Sequence, residues 1–503
     1  MSIYSPENLF LRLTTREQSR SLDEQTIQAF GLSGSLLMEI AGMKAAEYIR
    51  DQTGDNKHGV FICGKGNNAG DAFVAARYLL ERASHSADIR LVSGDANLSP
   101  DAAKNLELLR KLKENGAEVT ISTKTPDLSS ATYHYGVDGM IGTGLTSDLR
   151  SPLTARVSDL NQSRLTIFAM DIPTGLHCDS GRILGSCVKA DHTLTFGTNK
   201  TGFYMGRGPE MTGSLFLADL PFPKYLREHK AVLIGNDLSE ELPDHTAAAA
   251  HKYEKGTVHI VAGSAGMTGA AMMAAKSAWA AGAGAVFLYA PKGILQVYEI
   301  SLPQIIKVPV GEPDDTHFKP FHVSDILAKI SDKKGPVLAG PGLGNADETR
   351  TGLAELLNQV ESPVILDADG LAAWQQSSSA KPSGWILTPH PGELKNYLNI
   401  SSADDFSRLS GIQKLADSSG CHILSKGSPT FYVSADGAAF ITGYDTSIFA
   451  RAGFGDVLAG TIAGKLAVSK PYDADRSVVS ALIDTHKAIQ HIPDAEPKDI
   501  YDR

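Results

Sequence analysis

Cysteine is scarce in this chain. Cys63, Cys178, Cys187 and Cys421 are widely scattered, with no Cys-x-x-Cys and no histidine cluster at zinc spacing. That excludes a disulfide framework and a zinc site, and leaves reduced, mostly buried thiols. Positive charge is also in deficit: 47 Lys+Arg against 57 Asp+Glu give a formal net charge of −10, which argues against nucleic acid as a partner. No apolar run is long enough to span a membrane, and residues 1–15 contain no signal-peptide core. A cytoplasmic protein with no membrane partner is the expectation. What the chain has in quantity is glycine, 48 residues in 503, which suits an α/β protein with many tight βα turns. The length predicts roughly two to four domains.

In the first half, apolar residues at three- and four-residue spacing predict helices over 16–31 and 35–51. A short apolar strand, 59–63, runs into Gly64-Lys-Gly-Asn67-Asn68-Ala69-Gly70-Asp71 and then a helix over 72–82, the opening of a nucleotide-binding βαβ unit. Strands at 89–93 and 118–122, with a helix over 99–115 between them, repeat the alternation. The strand at Tyr135 ends in Asp138 beside Gly142-Thr-Gly144-Leu145, and the strand 165–170 leads into Asp171-Ile-Pro-Thr174-Gly175. In an open parallel sheet such loops converge on one crevice, so Asn68, Asp138, Asp171 and Thr174 are candidates for a shared site. Any one of them alone reads as a turn or capping residue; their recurrence at successive strand ends favours a site.

Pro221-Phe-Pro223 marks the best boundary, predicting domains over 1–222 and 251–503 joined by 223–250, a stretch with Glu240, Glu241, Asp244 and a run of alanines. The second half repeats the βα grammar: a strand at 257–262, a Gly-rich turn, an Ala-rich helix over 270–282, a strand at 285–289, and apolar runs entering Gly340-Pro-Gly342-Leu-Gly344 and Asp367-Ala-Asp-Gly370. His390 lies between two prolines in Thr388-Pro-His-Pro-Gly-Glu393. A strand at 421–424 ends in Lys426-Gly427-Ser428-Pro429-Thr430, followed by a hairpin over 431–443. Arg451-Ala-Gly453-Phe-Gly455-Asp456 then feeds a helix. The unpaired N–H groups at that helix start suit phosphate, and Asp456 stands where a carboxylate can take a proton from a substrate hydroxyl. An isolated Gly-Asp before a helix is ordinarily only a cap. The neighbouring Lys426 turn shifts the balance towards a site.

These motifs resemble the two halves of the YjeF family. Asn67-Asn-Ala-Gly-Asp-Ala72, Val137-Asp-Gly-x-x-Gly-Thr-Gly144 and Asp171-Ile-Pro-Thr-Gly175 resemble its NAD(P)H-hydrate epimerases. Gly266-Met-Thr-Gly-Ala-Ala271, Gly340-Pro-Gly-Leu-Gly344, Asp367-Ala-Asp-Gly370, the His390 segment and Gly453-x-Gly-Asp-Val-Leu458 resemble its nucleotide-dependent dehydratases. The resemblance implies an N-terminal Rossmann-like three-layer α/β/α domain followed by a ribokinase-like three-layer α/β domain. For the first it implies K+ held by Asn68, Asp138 and Thr174, with Asp138 as acid/base. Substrate is then contacted by Asn67, Asn68, Ala69, Gly70, Asp71, Gly142, Thr143, Gly144, Leu145, Thr146, Ser147, Asp148 and Asp171.

For the second it implies hydrate contacts from Ala270, Gly342, His390 and Asp456, and nucleotide contacts from Lys426, Gly427, Ser428, Pro429, Thr430 and Gly455. ADP or ATP, with Mg2+, is the implied co-substrate, Asp456 the base for hydroxyl phosphorylation, and elimination of phosphate the step that restores the dihydronicotinamide. The expected partners are NADH and NADPH hydrates and a second copy of the chain. Arg451-Ala452 stand where the family has Thr-Gly, Tyr253 where it has Gly, and Ala69 and Ala72 where it has Gly. A ribokinase-like small-molecule kinase and a non-catalytic nucleotide-binding protein are the alternatives that these motifs leave open.

Overall fold

The computed structural model describes residues 7–129, 132–235, 237–238, 255–376 and 384–502. The chain divides into two compact units, one built mainly from Glu7–Val232 and the other from the chain beyond it. Most of the expected linker, including Glu240, Glu241 and Asp244, and also Tyr253, lies outside the described residues.

The N-terminal unit is a seven-stranded parallel sheet. Its strands are β2 (His58–Cys63), β3 (Ser86–Leu91), β4 (Val119–Ser122), β5 (Tyr135–Gly139), β6 (Thr166–Met170), β7 (His192–Phe196) and β9 (Ser214–Ala218), in the order β4-β3-β2-β5-β6-β7-β9. Alternate residues supply its two faces. Phe61 and Cys63 pack with residues of the helices Gly34–Thr53, Asn67–Arg82 and Pro100–Glu114, whereas Val60 and Ile62 pack with Val157 and Leu160 of the helix Leu153–Gln162. The result is the expected three layers. A short strand, β1 (Arg12–Thr14), pairs with β8 (Asn199–Lys200) and with Ala231 and Val232 of β10 (Ala231–Ile234).

The helix after β2 begins at Asn67, five residues before the expected start. Small side chains allow this. A Cβ on Gly70 would lie 2.5 Å from Met38 Cε, and one on Gly139 would lie 2.8 Å from Ala72 Cβ, so the first turn of the helix sits down directly on its neighbours. The expected helix 16–31 is regular over Arg16–Gln25 and continues as a π turn, Thr26–Phe30.

The C-terminal unit carries β11 (Thr257–Val261), β12 (Ala285–Pro291), β13 (Ile306–Val310), β14 (Val337–Ala339), β15 (Val364–Leu366), β16 (Ile386–Leu387) and β17 (His422–Ser425) as parallel strands in the order β13-β12-β11-β14-β15-β16-β17. β18 (Phe431–Val433) and β19 (Ala439–Thr442) extend the sheet antiparallel. Every residue of β11, β12, β14, β15 and β17 is buried, which fits a sheet flanked by helices. In both units the chain leaves a central pair of strands in opposite directions, at β2/β5 and at β11/β14. Such switch points open a crevice at the carboxyl ends of the strands.

Candidate active sites

At the β2/β5 switch point, the first turn of the helix Asn67–Arg82 carries Asn68 against the loops after β5 and β6. Asn68 is 7% exposed, and neither its Oδ1 nor its Nδ2 has a hydrogen-bond partner. A buried amide left unpaired is costly, so this one marks a place prepared for another group. Asp138, at the end of β5, is fully buried and receives hydrogen bonds from Thr174 N (2.8 Å), Thr174 Oγ1 (2.7 Å) and Met140 N (3.1 Å). Burial pushes its carboxyl up to about 6, against the pull of those donors. Thr174 Oγ1 also accepts Ile141 N at 3.0 Å, tying the two loops together. The structure thus brings Asp138 and Thr174 into direct contact, while Asn68 and Asp171 meet at Gly142.

Gly142 is the meeting point. A Cβ there would lie 3.0 Å from Asn68 Oδ1 and 3.2 Å from Asp171 Oδ2. Asp171, in a left-handed conformation (φ 61°), accepts Lys200 Nζ at 2.6 Å through Oδ1. Asp71 and Asp23 lie within electrostatic range of this pair, and burial raises both carboxyls, Asp23 to about 6. Asn67 and the segment Gly144, Thr146, Ser147 and Asp148 are exposed at the rim, while Thr143 and Leu145 are partly buried. Ala69 is buried, and Gly70 is directed at Met38 and Ala102 rather than towards Gly142.

Lys200 and Asp23 escaped the sequence reading. The signal for Lys200 was present in His192-Thr-Leu-Thr-Phe196, a β-branched, alternating strand β7 that leads to it. Asp23 comes from a helix 48 residues before Asp71 and has no local signature.

In the C-terminal unit, Gly340 (φ 127°) and Gly342 (φ 62°) let the loop after β14 press against its neighbours. A Cβ on Gly342 would lie 3.0 Å from Ala270 Cβ, so these two expected hydrate contacts adjoin. Asp367, 2% exposed at the end of β15, accepts Thr388 Oγ1 at 2.7 Å and Lys426 Nζ at 2.5 Å. A Cβ on Gly455 would lie 3.4 Å from that same Nζ. Lys426 therefore joins the Ser425 strand end to the start of the helix Phe454–Val468.

That helix begins at Phe454 behind a left-handed Gly453, which has no side chain to cap it. Asp456 is consequently inside the first turn and not the cap. Burial and the nearby Asp367 carboxylate push it up to about 6, with Lys426 opposing. His390 caps the helix Pro391–Leu398: its Nδ1 accepts Gly392 N (3.0 Å) and Glu393 N (3.3 Å), and Glu393 returns the bond to His390 N (2.8 Å). With Nδ1 so used, the ring's Nε2 lies 3.4 Å from Glu393 Oε1, and the side chain is 56% exposed.

The Lys426–Thr430 turn is pinned from below by Arg408, which donates to Lys426 O (3.3 Å) and Pro429 O (2.7 Å) and stacks on Phe431. Thr430 Oγ1 and Thr446 Oγ1 both donate to Gly427 O. Ser428 is exposed at the tip, whereas Pro429 and Thr430 are buried. Arg451 pairs with Asp494 at 3.2 Å and donates to Ala495 O at 3.4 Å, so its charge is directed to the C-terminal segment. Asp367 and Glu393 lay inside motifs already recognised; Arg408, in a helix well before the turn, gave no sequence signal.

Comparison with known proteins completes this picture. The family described as YjeF-related protein N-terminus matches residues 34–202, and the one described as NAD(P)H-hydrate dehydratase matches residues 258–496. The chain is 34% identical over 490 residues to the bifunctional NAD(P)H-hydrate repair enzyme Nnr of Salinibacter ruber, covering 93% of this chain and 90% of that protein. It is 31% identical over 463 residues to the protein of that name from Thermofilum pendens, covering 90% of this chain and 87% of the other. Among solved structures, the ADP/ATP-dependent NAD(P)H-hydrate dehydratase from Bacillus subtilis co-crystallized with ATP/Mg2+ is 22% identical with a TM-score of 0.43, over 54% of this chain and 95% of that one. With both halves matched in order and a relative aligned over almost the whole length, this chain belongs to the family of bifunctional NAD(P)H-hydrate repair enzymes.

Proposed function

We propose that the N-terminal unit interconverts the R and S hydrates of NADH and NADPH, and that the C-terminal unit dehydrates the S form at the expense of ADP or ATP. One observation carries the second half of this reading: Asp456, Lys426 and Asp367 form a charged cluster at the open N-terminus of the helix Phe454–Val468. Asp456 accepts the proton of the substrate hydroxyl, whose oxygen takes the terminal phosphoryl group of the nucleotide; loss of phosphate then regenerates the dihydronicotinamide. Lys426 and the free N–H groups of the helix start hold the phosphates, with Gly455 leaving the backbone open to them. The Lys426–Thr430 turn forms the wall of the nucleotide site, and Mg2+ accompanies the nucleotide. Ala270, Gly342 and the half-exposed ring of His390, its Nε2 beside Glu393 Oε1, meet the hydrate.

In the N-terminal unit, Asn68, Asp138 and Thr174 fit a potassium ion. Asn68 Oδ1 lacks a donor, Asp138 is a buried carboxylate with no cationic side chain in salt-bridge range among the described residues, and all three offer oxygen to a hard cation. When bound, the ion supplies positive charge beside a carboxylate that burial otherwise penalises. Asp138 has no exposed surface and three donors already upon it, so in this reading it anchors the cation. Asp171 and the Gly142–Asp148 loop meet the substrate, with Asn67 at the rim.

The test is recovery of dihydronicotinamide absorbance from a mixture of R and S NADH hydrate, with ADP, ATP or neither, and with or without potassium. Full recovery that requires a nucleotide is expected. Recovery limited to the S share would remove the epimerase half, and none with either nucleotide would overturn the whole reading.

A further inference from the structure

Lys200 is 1% exposed, deep in the N-terminal unit, and its ammonium donates to Asp171 Oδ1 at 2.6 Å and to Thr195 Oγ1. An ammonium is kept at such depth only when it is paired. The pair is asymmetric. Lys200 is sealed in, while the Asp171 side chain keeps 17% of its surface. Oδ1 faces the lysine, and Oδ2 faces the space above Gly142, where a single point lies 3.2 Å from Asp171 Oδ2 and 3.0 Å from the unpartnered Asn68 Oδ1.

The backbone is arranged for this. Asp171 takes a left-handed conformation that few residues other than glycine adopt, with its N–H bonded to Leu194 O at 2.7 Å, and Lys200 is anchored by pairing of β8 with Thr14.

We propose that Lys200 is a positioning residue of the N-terminal site, its buried ammonium holding Oδ1 of Asp171 so that Oδ2 is presented to the hydroxyl of the bound hydrate. This rests on the epimerase reading of that unit. A displaced carboxylate loses the alignment on which turnover depends, and misplacement by about 1 Å is worth on the order of 10²-fold in rate.

A double-mutant cycle tests it in the full-length chain. Conversion of R-hydrate is followed by the absorbance recovered when the chain's own S-specific step is supplied with nucleotide, and direct conversion of S-hydrate serves as the internal control. Lys200→Met is expected to slow R-hydrate conversion about 100-fold with S-hydrate conversion unchanged. Because Lys200 acts through Asp171, adding Lys200→Met to Asp171→Asn is expected to cost nothing further. Losses that multiply in the double variant, or a Lys200→Met chain with native R-hydrate conversion, would overturn the proposal.

Should Lys200→Met fail to fold, Thr195→Val removes only the hydroxyl on the other side of the ammonium. It is expected to slow the same step by a smaller factor, again without effect in the Asp171→Asn background; native rates would overturn the proposal equally. A wild-type chain that converts R-hydrate no faster than solvent alone would instead dispose of the epimerase reading itself, which separates the two failures.

Discussion

Asp456 offers the sharpest test of the C-terminal site, because its proposed role and its environment make opposite demands. As a base it must be ionised, yet burial and Asp367 raise its carboxyl from 3.8 to about 6. A group titrating at about 6 is roughly one-tenth ionised at pH 5 and roughly nine-tenths at pH 7, so the rate of S-hydrate dehydration with saturating nucleotide should rise about tenfold between those values. An aspartate near 3.8 would give a change of less than about 10% over the same range.

Stability moves the other way. A carboxyl raised in the folded state contributes stability that is fully present below 3.8 and lost as pH rises through about 6. The interval corresponds to about 3 kcal/mol as an upper bound. Asp456→Asn should therefore lose about 10²- to 10⁴-fold in kcat while gaining up to about 3 kcal/mol at pH 7.5 and almost nothing at pH 4. The assays are initial dehydration rates against pH and denaturant unfolding at the two pH values. A flat rate profile between pH 5 and 7, or an Asn variant with native turnover, would refute the assignment of Asp456 as base.

Replacing Asn68 by Leu should abolish the potassium response of R-hydrate conversion and leave S-hydrate conversion intact; a potassium titration that matches wild type would contradict the ligand set. Gly340→Ala should destabilise the C-terminal unit by at least about 2 kcal/mol, because its Cβ would fall 1.8 Å from Asp367 O at φ 127°. A melting temperature equal to wild type would count against that geometry. His390→Ala removes the acceptor for Gly392 N and Glu393 N and should cost about 1 kcal/mol of stability. His390→Asn should restore the cap without restoring hydrate turnover, so an Asn variant with native KM and kcat would leave His390 a purely structural residue.

The sequence by itself determined the grammar of the fold. Apolar strands such as Val60–Ile62 within His58–Cys63 and Val364–Leu366, each followed by a glycine-rich turn and a helix, announce parallel sheets with sites at their carboxyl ends, because period and turn chemistry are local properties. Motif spacing likewise pointed to Asn68, Asp138, Asp171, Lys426 and Asp456. Helix starts were less legible: Asn67 and Phe454 open their helices where polar or glycine-rich sequence reads as loop, since tight packing against Met38 and Gly139, or a left-handed Gly453, overrides local preference.

Only tertiary structure decided which charges meet. Lys200 reaches Asp171 because β7 is laid beside β6, Arg408 reaches the Lys426–Thr430 turn from a separate helix, and Arg451 turns to Asp494. Pairing across 18 to 43 residues depends on strand order and burial, and no window of local sequence contains either.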